Sequence, residues 1–319
     1  MTTKPVLGTS GCLTGSAVRF DGGHKRMSFV MDELAQWVNF RPVCPEMAIG
    51  LPTPRPAIRL TLTDSCETQL RFSKPPHDDL TQKMADFTAD YLPKIGDLSG
   101  FIVCAKSPSC GLERVRLYDE NGNRGRKEGV GLFTAALLET YPWLPVEEDG
   151  RLHDPVLREN FIERVFALHE LNTLRAKGLT RRGLLDFHSR YKLQLLAHHQ
   201  AGYREIGPFV ASLHEWEDLD AFFVAYREKL MTILKKPASR KNHTNVLMHI
   251  QGYFRNQLNT RQRGELRDVI LHYRNGQLPI LAPITLLKHY LAEYPDRYLM
   301  TQNYFDPYPD DLGLRLAVK

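Results

Sequence analysis

The sequence predicts two unlike domains: an α/β domain with a mostly parallel sheet over residues 1–166, then an all-α domain over residues 167–319. Up to Pro145, short apolar runs alternate with amphipathic stretches, the pattern of a parallel sheet with helices on its faces. From Asp154 onward, apolar residues recur at i, i+3 and i+4 in one segment after another, with few signs of strand alternation. All five cysteines (Cys12, Cys44, Cys66, Cys104 and Cys110) fall in the first domain, so any thiol chemistry belongs there.

Taken in order, PVLGTSGC (5–12) reads as a strand running into a glycine turn, MDELAQWV (31–38) as a short amphipathic helix, and RPVCPE (41–46) as the end of a second strand. The stretch RPVCPEMAIGLPTPRP (41–56) is crowded with prolines, which fix φ and remove N–H donors. It is expected to be a loop of nearly set shape, holding Cys44 and Glu46 two residues apart. IRLTLT and LRFS are strands flanking the polar turn TDSCE, and HDDLTQKMADFTADYL has helical spacing in Leu80, Met84, Phe87 and Tyr91. LSGFIVCAK is an apolar strand entering SPSCG. RVRLYDENGNRGRKEG reads as a strand, an Asn-Gly turn and a basic glycine loop, and GLFTAALLETYPWL as a helix ended by Pro142. In the second domain a long helical pattern closes at Gly178, and six further helical segments follow; the tail YFDPYPDDLGL is expected to lie along the surface.

A length of 319 residues suits about two domains. With 42% hydrophobic and 25% charged residues the composition is that of a soluble globular protein, and no apolar run approaches a membrane span. The start, MTTKPVLGTSGC, lacks the charged and apolar regions of a signal peptide, so a cytoplasmic location is expected. An odd number of thinly spread cysteines argues against disulfides there. Charge is uneven: Lys177 to Asn275 holds 17 Lys and Arg against 9 Asp and Glu, within a chain of net charge +5. Such an excess points to a polyanion partner, with a solvated helical surface as the alternative.

Cys12, Cys44 and Cys110 each follow a strand-like run, and functional residues of α/β sheets collect beyond the carboxyl ends of strands. Three readings are open. A zinc site usually shows a close CxxC pair, and none exists here. A nucleophilic cysteine needs a histidine base, and only His24 and His77 lie among the first 150 residues. An iron–sulfur cluster on three thiolates would leave one iron free to act as a Lewis acid. Cys104, inside the apolar run FIVCA, and Cys66, in a polar turn, read as bystanders.

TSGCLTGSAVRFDGGHKR, VCPEMAIGLPTPRPAIRL and AKSPSCG, in this order, resemble the TudS-type thiouracil desulfidase family, over about Val6 to Phe166. The resemblance implies a 4Fe-4S cluster with three cysteine ligands, Cys12, Cys44 and Cys110, and one open iron. It implies exchange of C=S for C=O on a nucleobase without net redox change, the open iron taking the soft sulfur. Glu46 is then the proton carrier. Ser107 is a hydrogen-bonding partner of substrate or water, Ser109 is a lesser candidate, and Arg19 and Asp21 are braces. Phe20 stands where the family usually has Tyr, so no phenol acts there.

LLDFHSRYKLQLLAHHQAGYREIG and KNHTNVLMHIQGYF resemble the YbgA-type helical domain, over roughly Thr180 to Pro309. The fusion resembles the RudS-type arrangement, which implies 4-thiouridine within tRNA as substrate and tRNA as partner. Candidate RNA-facing residues are Arg181, Arg182, Lys192, Lys235, Lys236, Arg240, Lys241 and His243, with Arg124, Arg126 and Lys127 of the NRGRK stretch near the active site. On one helix face His188 and His199 stand three turns apart, too far for a shared ion. Two alternatives remain: a desulfidase of free thiouracil, and a nucleic-acid or partner-binding protein with a structural or redox-sensing cluster.

Overall fold

The computed structural model describes residues 3–316 and divides the chain into two compact units, Met1–Asp154 and Pro155–Lys319. The boundary expected after Phe166 falls inside a continuous helix, Pro155–Ala176; the division lies at the start of that helix. A proline is tolerated at a first helical position because its missing N–H would be unbonded there anyway.

In the first unit, β1 (Val6–Ser10), β2 (Asn39–Val43), β5 (Gly100–Val103) and β8 (Val146–Glu148) form an all-parallel sheet in the order β2-β1-β5-β8. Ser10 pairs with Val43, Thr9 with Ile102, and Val103 with Glu148, so four carboxyl ends finish at one edge. Gly8 permits the packing in the middle: a Cβ there would meet the Phe101 ring at 2.2 Å. Pro42 is accommodated because β2 is an edge strand, which need not donate on its outer side.

The single sheet expected from the alternation is in fact two. β3 (Ile58–Leu62), β4 (Thr68–Phe72), β6 (Val115–Tyr118) and β7 (Arg124–Gly129) form a second, mixed sheet in the order β4-β3-β6-β7. The stretch expected as a basic glycine loop is strand β7, paired antiparallel with β6 across a turn in which the Asp119 carboxylate accepts from the Asn123 N–H at 2.7 Å. The proline-rich stretch is a loop in part: Pro45 opens a one-turn helix, α1 (Pro45–Ala48), and a loop follows. α2 (Thr81–Tyr91) and α3 (Leu132–Thr140) match the expected helices.

The second unit is helical: α4 (Pro155–Ala176), α5 (Arg181–His198), α6 (Gln200–Ala211), α7 (Leu219–Leu234), α8 (Arg240–Tyr253), α9 (Thr260–Arg274) and α10 (Leu281–Glu293). Side chains cap several starts. Thr180 accepts from Gly183 N–H, Ser239 from Asn242 N–H, and Asn259 with Gln262 forms a reciprocal capping box. Leu193, Val246, Ile250, Leu266, Ile270 and Leu287 build a core between α5, α8, α9 and α10. Among the described residues no helix is long and apolar enough to cross a membrane.

Two expectations are corrected here. The tail does not lie along the surface: Tyr304, Phe305, Tyr308, Leu312 and Leu314 are buried. Arg315 reaches Glu159 at 3.2 Å and Glu163 at 3.4 Å, both on α4. The spaced aromatics outweigh the polar residues between them, because each large ring removed from water contributes strongly. His243 does not face RNA either; it is buried, with Nδ1 3.0 Å from the Tyr304 hydroxyl.

Burial holds His243 down to about 3 and His188 down to about 4, from an ordinary value of 6.5. The unfolded chain therefore binds more protons than the folded one below that value. This contribution to stability is whole above pH 6.5 and drains as pH falls towards the folded values. Glu159, pushed up to about 6 by burial, opposes the trend over part of the window. The parent is thus expected to lose Tm faster than His243→Gln between pH 7 and 4, in a series of thermal melts.

Candidate functional site

The carboxyl edge of the parallel sheet closes around a cavity of about 420 Å³. Each strand of that sheet delivers a group to it or beside it. Cys12 follows β1, Cys44 follows β2, and the loop after β5 brings Cys104, Ser107 and Cys110; all five line the cavity. Asp149 follows β8 and fixes the β5 loop, one carboxylate oxygen accepting the Ala105 N–H at 2.7 Å. Parallel strands point their carboxyl ends the same way, which is why residues 98 positions apart in sequence share one cleft. Gly131, just before α3, lets the 107–110 loop lie against that helix: a Cβ there would sit 2.5 Å from the Ser109 carbonyl.

Glu46 is buried on α1 at the cavity wall. The Cys44 thiol donates to its Oε2 at 3.2 Å, and the Ser107 hydroxyl donates to its Oε1 at 3.4 Å. Ser107 Oγ accepts in turn from the N–H groups of Ser109 and Cys110, at 3.2 and 3.1 Å. One serine thus ties the carboxylate to the turn carrying Cys110. Ser109 is fully buried behind that turn and does not line the cavity. Arg19 lines the cavity, with its guanidinium over the Phe20 ring and Nε 3.6 Å from Asp21. Asp21 is exposed, accepts from Gly23 N–H at 3.0 Å and shapes its own turn, outside the cavity wall.

Three groups at the cavity wall, and one behind it, escaped the sequence reading. Cys104, taken for a bystander, lines the cavity beside Cys12. Lys25 pairs with Asp149 at 2.6 Å and its N–H donates to the Cys12 carbonyl at 2.9 Å, joining two of the thiol-bearing loops. Arg55 lies 3.8 Å from Glu46 and 4.0 Å from the Cys44 sulfur. A signal existed for Arg55, a charged residue locked between Pro54 and Pro56; none existed for Asp149, whose role depends on β8 joining the sheet. Cys66 is exposed, away from the site.

The Cys12 thiol is pushed far up by its hydrogen bond to Cys104 and by burial, and Cys104 is lowered by the same bond. Burial, then the Glu46 carboxylate, pushes Cys44 up to about 11, and burial pushes Cys110 well up. Burial and neighbouring negative charge thus favour the neutral thiol at Cys12, Cys44 and Cys110, while Cys104 is drawn the other way. Among the described residues no three His, Cys, Asp or Glu groups converge on a single-ion position. Cys12, Cys44, Cys104 and Cys110 instead line one cavity, and soft thiol donors of that kind fit a polynuclear iron–sulfur cluster.

Of the basic candidates, Arg126 and Lys127 are exposed on β7, and the side chain of Arg124 lies outside the described residues. In the helical unit Arg181, Arg182, Lys235, Lys236 and Lys241 are exposed and Lys192 is half-buried. Arg181 also donates to the Trp216 carbonyl at 2.7 Å, and Arg182 is 3.6 Å from Asp186. Arg240 is committed to packing: Nη1 donates to the Tyr273 carbonyl at 2.9 Å and the guanidinium lies over the Tyr273 ring.

A thiol-lined cavity on a parallel sheet, followed by a helical unit, defines a two-domain protein with its chemistry in the first half. Comparisons with known proteins divide it the same way. Residues 7–149 match the family model described as 2-thiouracil desulfurase, and residues 192–309 match the one described as protein of unknown function DUF1722. Uncharacterized protein YbgA of Escherichia coli (strain K12) is 51% identical over 152 residues, 48% of this chain and 90% of YbgA. A solved structure described as [4Fe-4S]-dependent thiouracil desulfidase TudS is 28% identical, covering 47% of this chain and 93% of its own, with a TM-score of 0.35. The chain belongs to the YbgA family, and its residues 7–149 match the model described as 2-thiouracil desulfurase.

Proposed function

We propose that the protein is a desulfidase that converts 4-thiouridine in tRNA to uridine with release of sulfide. The observation that carries this reading is the single cavity shared by Cys12, Cys44, Cys110 and Glu46. The three cysteines would hold a 4Fe-4S cluster, which supplies a Lewis acid for the substrate sulfur when bound. The balance is C=S plus water to C=O plus hydrogen sulfide, with no oxidant or reductant. Glu46 takes the proton of the water that adds to the ring carbon and returns a proton to the departing sulfur. Ser107 holds the carboxylate in place through its hydroxyl and keeps it beside the cysteine turn. Burial of Glu46 limits competition from bulk water.

The helical unit supports the tRNA substrate through its charge: its Lys177 to Asn275 span carries an excess of eight positive charges. A phosphate backbone rewards that excess, whereas a free base has no use for it. The description of the family matched by residues 7–149 favours a second reading, free thiouracil as substrate. The deciding experiment is anaerobic cluster reconstitution, then incubation with 4-thiouridine-containing tRNA and, separately, with free 4-thiouracil. Loss of thiocarbonyl absorbance and sulfide release are expected with tRNA; turnover of the free base alone overturns the tRNA assignment.

Affinity for tRNA is expected to fall steeply with salt, through counterion release. Neutralising Arg182, Lys192 and Lys241 together is expected to raise KM for tRNA and flatten that slope, leaving turnover at saturation unchanged. An unchanged slope in filter-binding titrations assigns the grip elsewhere, with Arg126 and Lys127 next to be tested.

A further inference from the structure

Arg55 lines the cavity and is 9% exposed. Its position is set from its own loop. Nη1 donates to the Pro52 carbonyl at 3.3 Å and to Thr53 Oγ1 at 3.2 Å, which locks the plane of the guanidinium. Nη2 faces the other way, 3.8 Å from Glu46 Oε2 and 4.0 Å from Cys44 Sγ. The Glu46 separation exceeds that of a hydrogen bond, the Cys44 contact is a long N–H···S one, and the buried Nε has no partner among the described residues. A guanidinium keeps its charge and presents five donors. Buried donors in folded proteins are as a rule satisfied. Here a rigid, buried cation holds unspent donor capacity beside the carboxylate and the thiols.

We propose that Arg55 binds the substrate: its Nη2 donates to the carbonyl oxygen that a thiouracil ring keeps. This rests on the desulfidase reading. A 2- or 4-thiouracil ring carries one C=S and one C=O, flanking a ring N–H. Oxygen is the better acceptor for a charged donor, and sulfur the better partner for a soft, thiol-lined site. Arg55 on one side and the cysteines on the other therefore orient the ring, turning C=O towards the arginine and leaving C=S to face Cys12, Cys44 and Cys110. The same geometry explains why a strong donor stands next to Glu46 without closing a tight ion pair on it. A closed pair would spend the donor before substrate arrives.

The test uses the full chain with its cluster reconstituted, as parent, Arg55→Met and Arg55→Lys. Arg55→Met is expected to keep the cluster absorbance. Its KM for 4-thiouracil is expected to rise by roughly ten-fold, in line with the loss of one charge-assisted hydrogen bond. For 2,4-dithiouracil, which has no carbonyl oxygen, KM is expected to stay near that of the parent. Arg55→Lys is expected to fall between, since an ammonium lacks the planar fork. Equal effects on both substrates, or loss of cluster absorbance in Arg55→Met, overturn the proposal and make Arg55 a brace for Cys44 and Glu46. Uracil affinity, read by calorimetry, separates this from the desulfidase reading. A parent that turns over neither a free thiopyrimidine nor 4-thiouridine in tRNA overturns that reading, while a weakened uracil affinity in Arg55→Met still upholds the contact. Unchanged uracil affinity in Arg55→Met, or no uracil binding by the parent, removes it.

Discussion

Cys12→Ala, Cys44→Ala and Cys110→Ala are each expected to abolish both cluster absorbance and desulfuration after anaerobic reconstitution. With three proposed ligands there is no spare thiolate, and each of these cysteines stands at its own place around the cavity. Cys66→Ala serves as the control, since that thiol is exposed in a turn. Cys104→Ala is the sharper comparison. Cys104 lines the same cavity and shares a hydrogen bond with Cys12, yet it leaves the strand end one position after β5, ahead of the turn that carries Cys110. It is expected to keep the cluster. A variant that loses the cluster at Cys104 and keeps it at Cys12 overturns the ligand assignment. Iron and sulfide content, measured with the visible spectrum, decides the point.

Glu46→Gln is expected to keep the cluster and its tRNA affinity while turnover falls by roughly 10²–10⁴, the usual worth of a positioned acid or base. Glutamine preserves the shape and can still meet Ser107, so the loss reports the missing proton carrier. Ser107→Ala is expected to lose less, because it removes a hydrogen bond to Glu46 and the support of two N–H groups but leaves the carboxylate in place. Loss of the cluster in Glu46→Gln makes Glu46 a brace for Cys44, whose thiol it accepts from, and removes it from the proton path.

Local pattern in the sequence was sufficient for strands β1 to β6 and helices α2 to α10. The i, i+3, i+4 spacing from Asp154 onward marks the helices, and the structure shows their caps, Thr180, Ser239 and Asn259. The strand ends carrying Cys12 and Cys44 were equally plain, because each apolar run stops at a glycine or proline. Reading failed where a residue's role depends on what lies across from it. The NRGRK stretch looks like a loop by composition, yet β6 offers it a partner and it becomes a strand. His243 looks like a surface cation among basic neighbours, yet the Tyr304 hydroxyl and the core of the helical unit enclose it.

The sequence by itself determined the two-part architecture, the placing of all five cysteines in the first part, and the strand-end positions of Cys12 and Cys44. Those are properties of spacing along the chain, set by the periods of strands and helices and by where prolines and glycines interrupt them. The tertiary structure alone decided that Cys104, Lys25 and Arg55 share the cavity, that Asp149 steadies its wall, and that the tail threads into the helical core through Arg315. Those follow from strand order and side-chain packing, in which residues brought together are dozens of positions apart. The energy that places them comes from burial and paired charge, and no local window of sequence contains either.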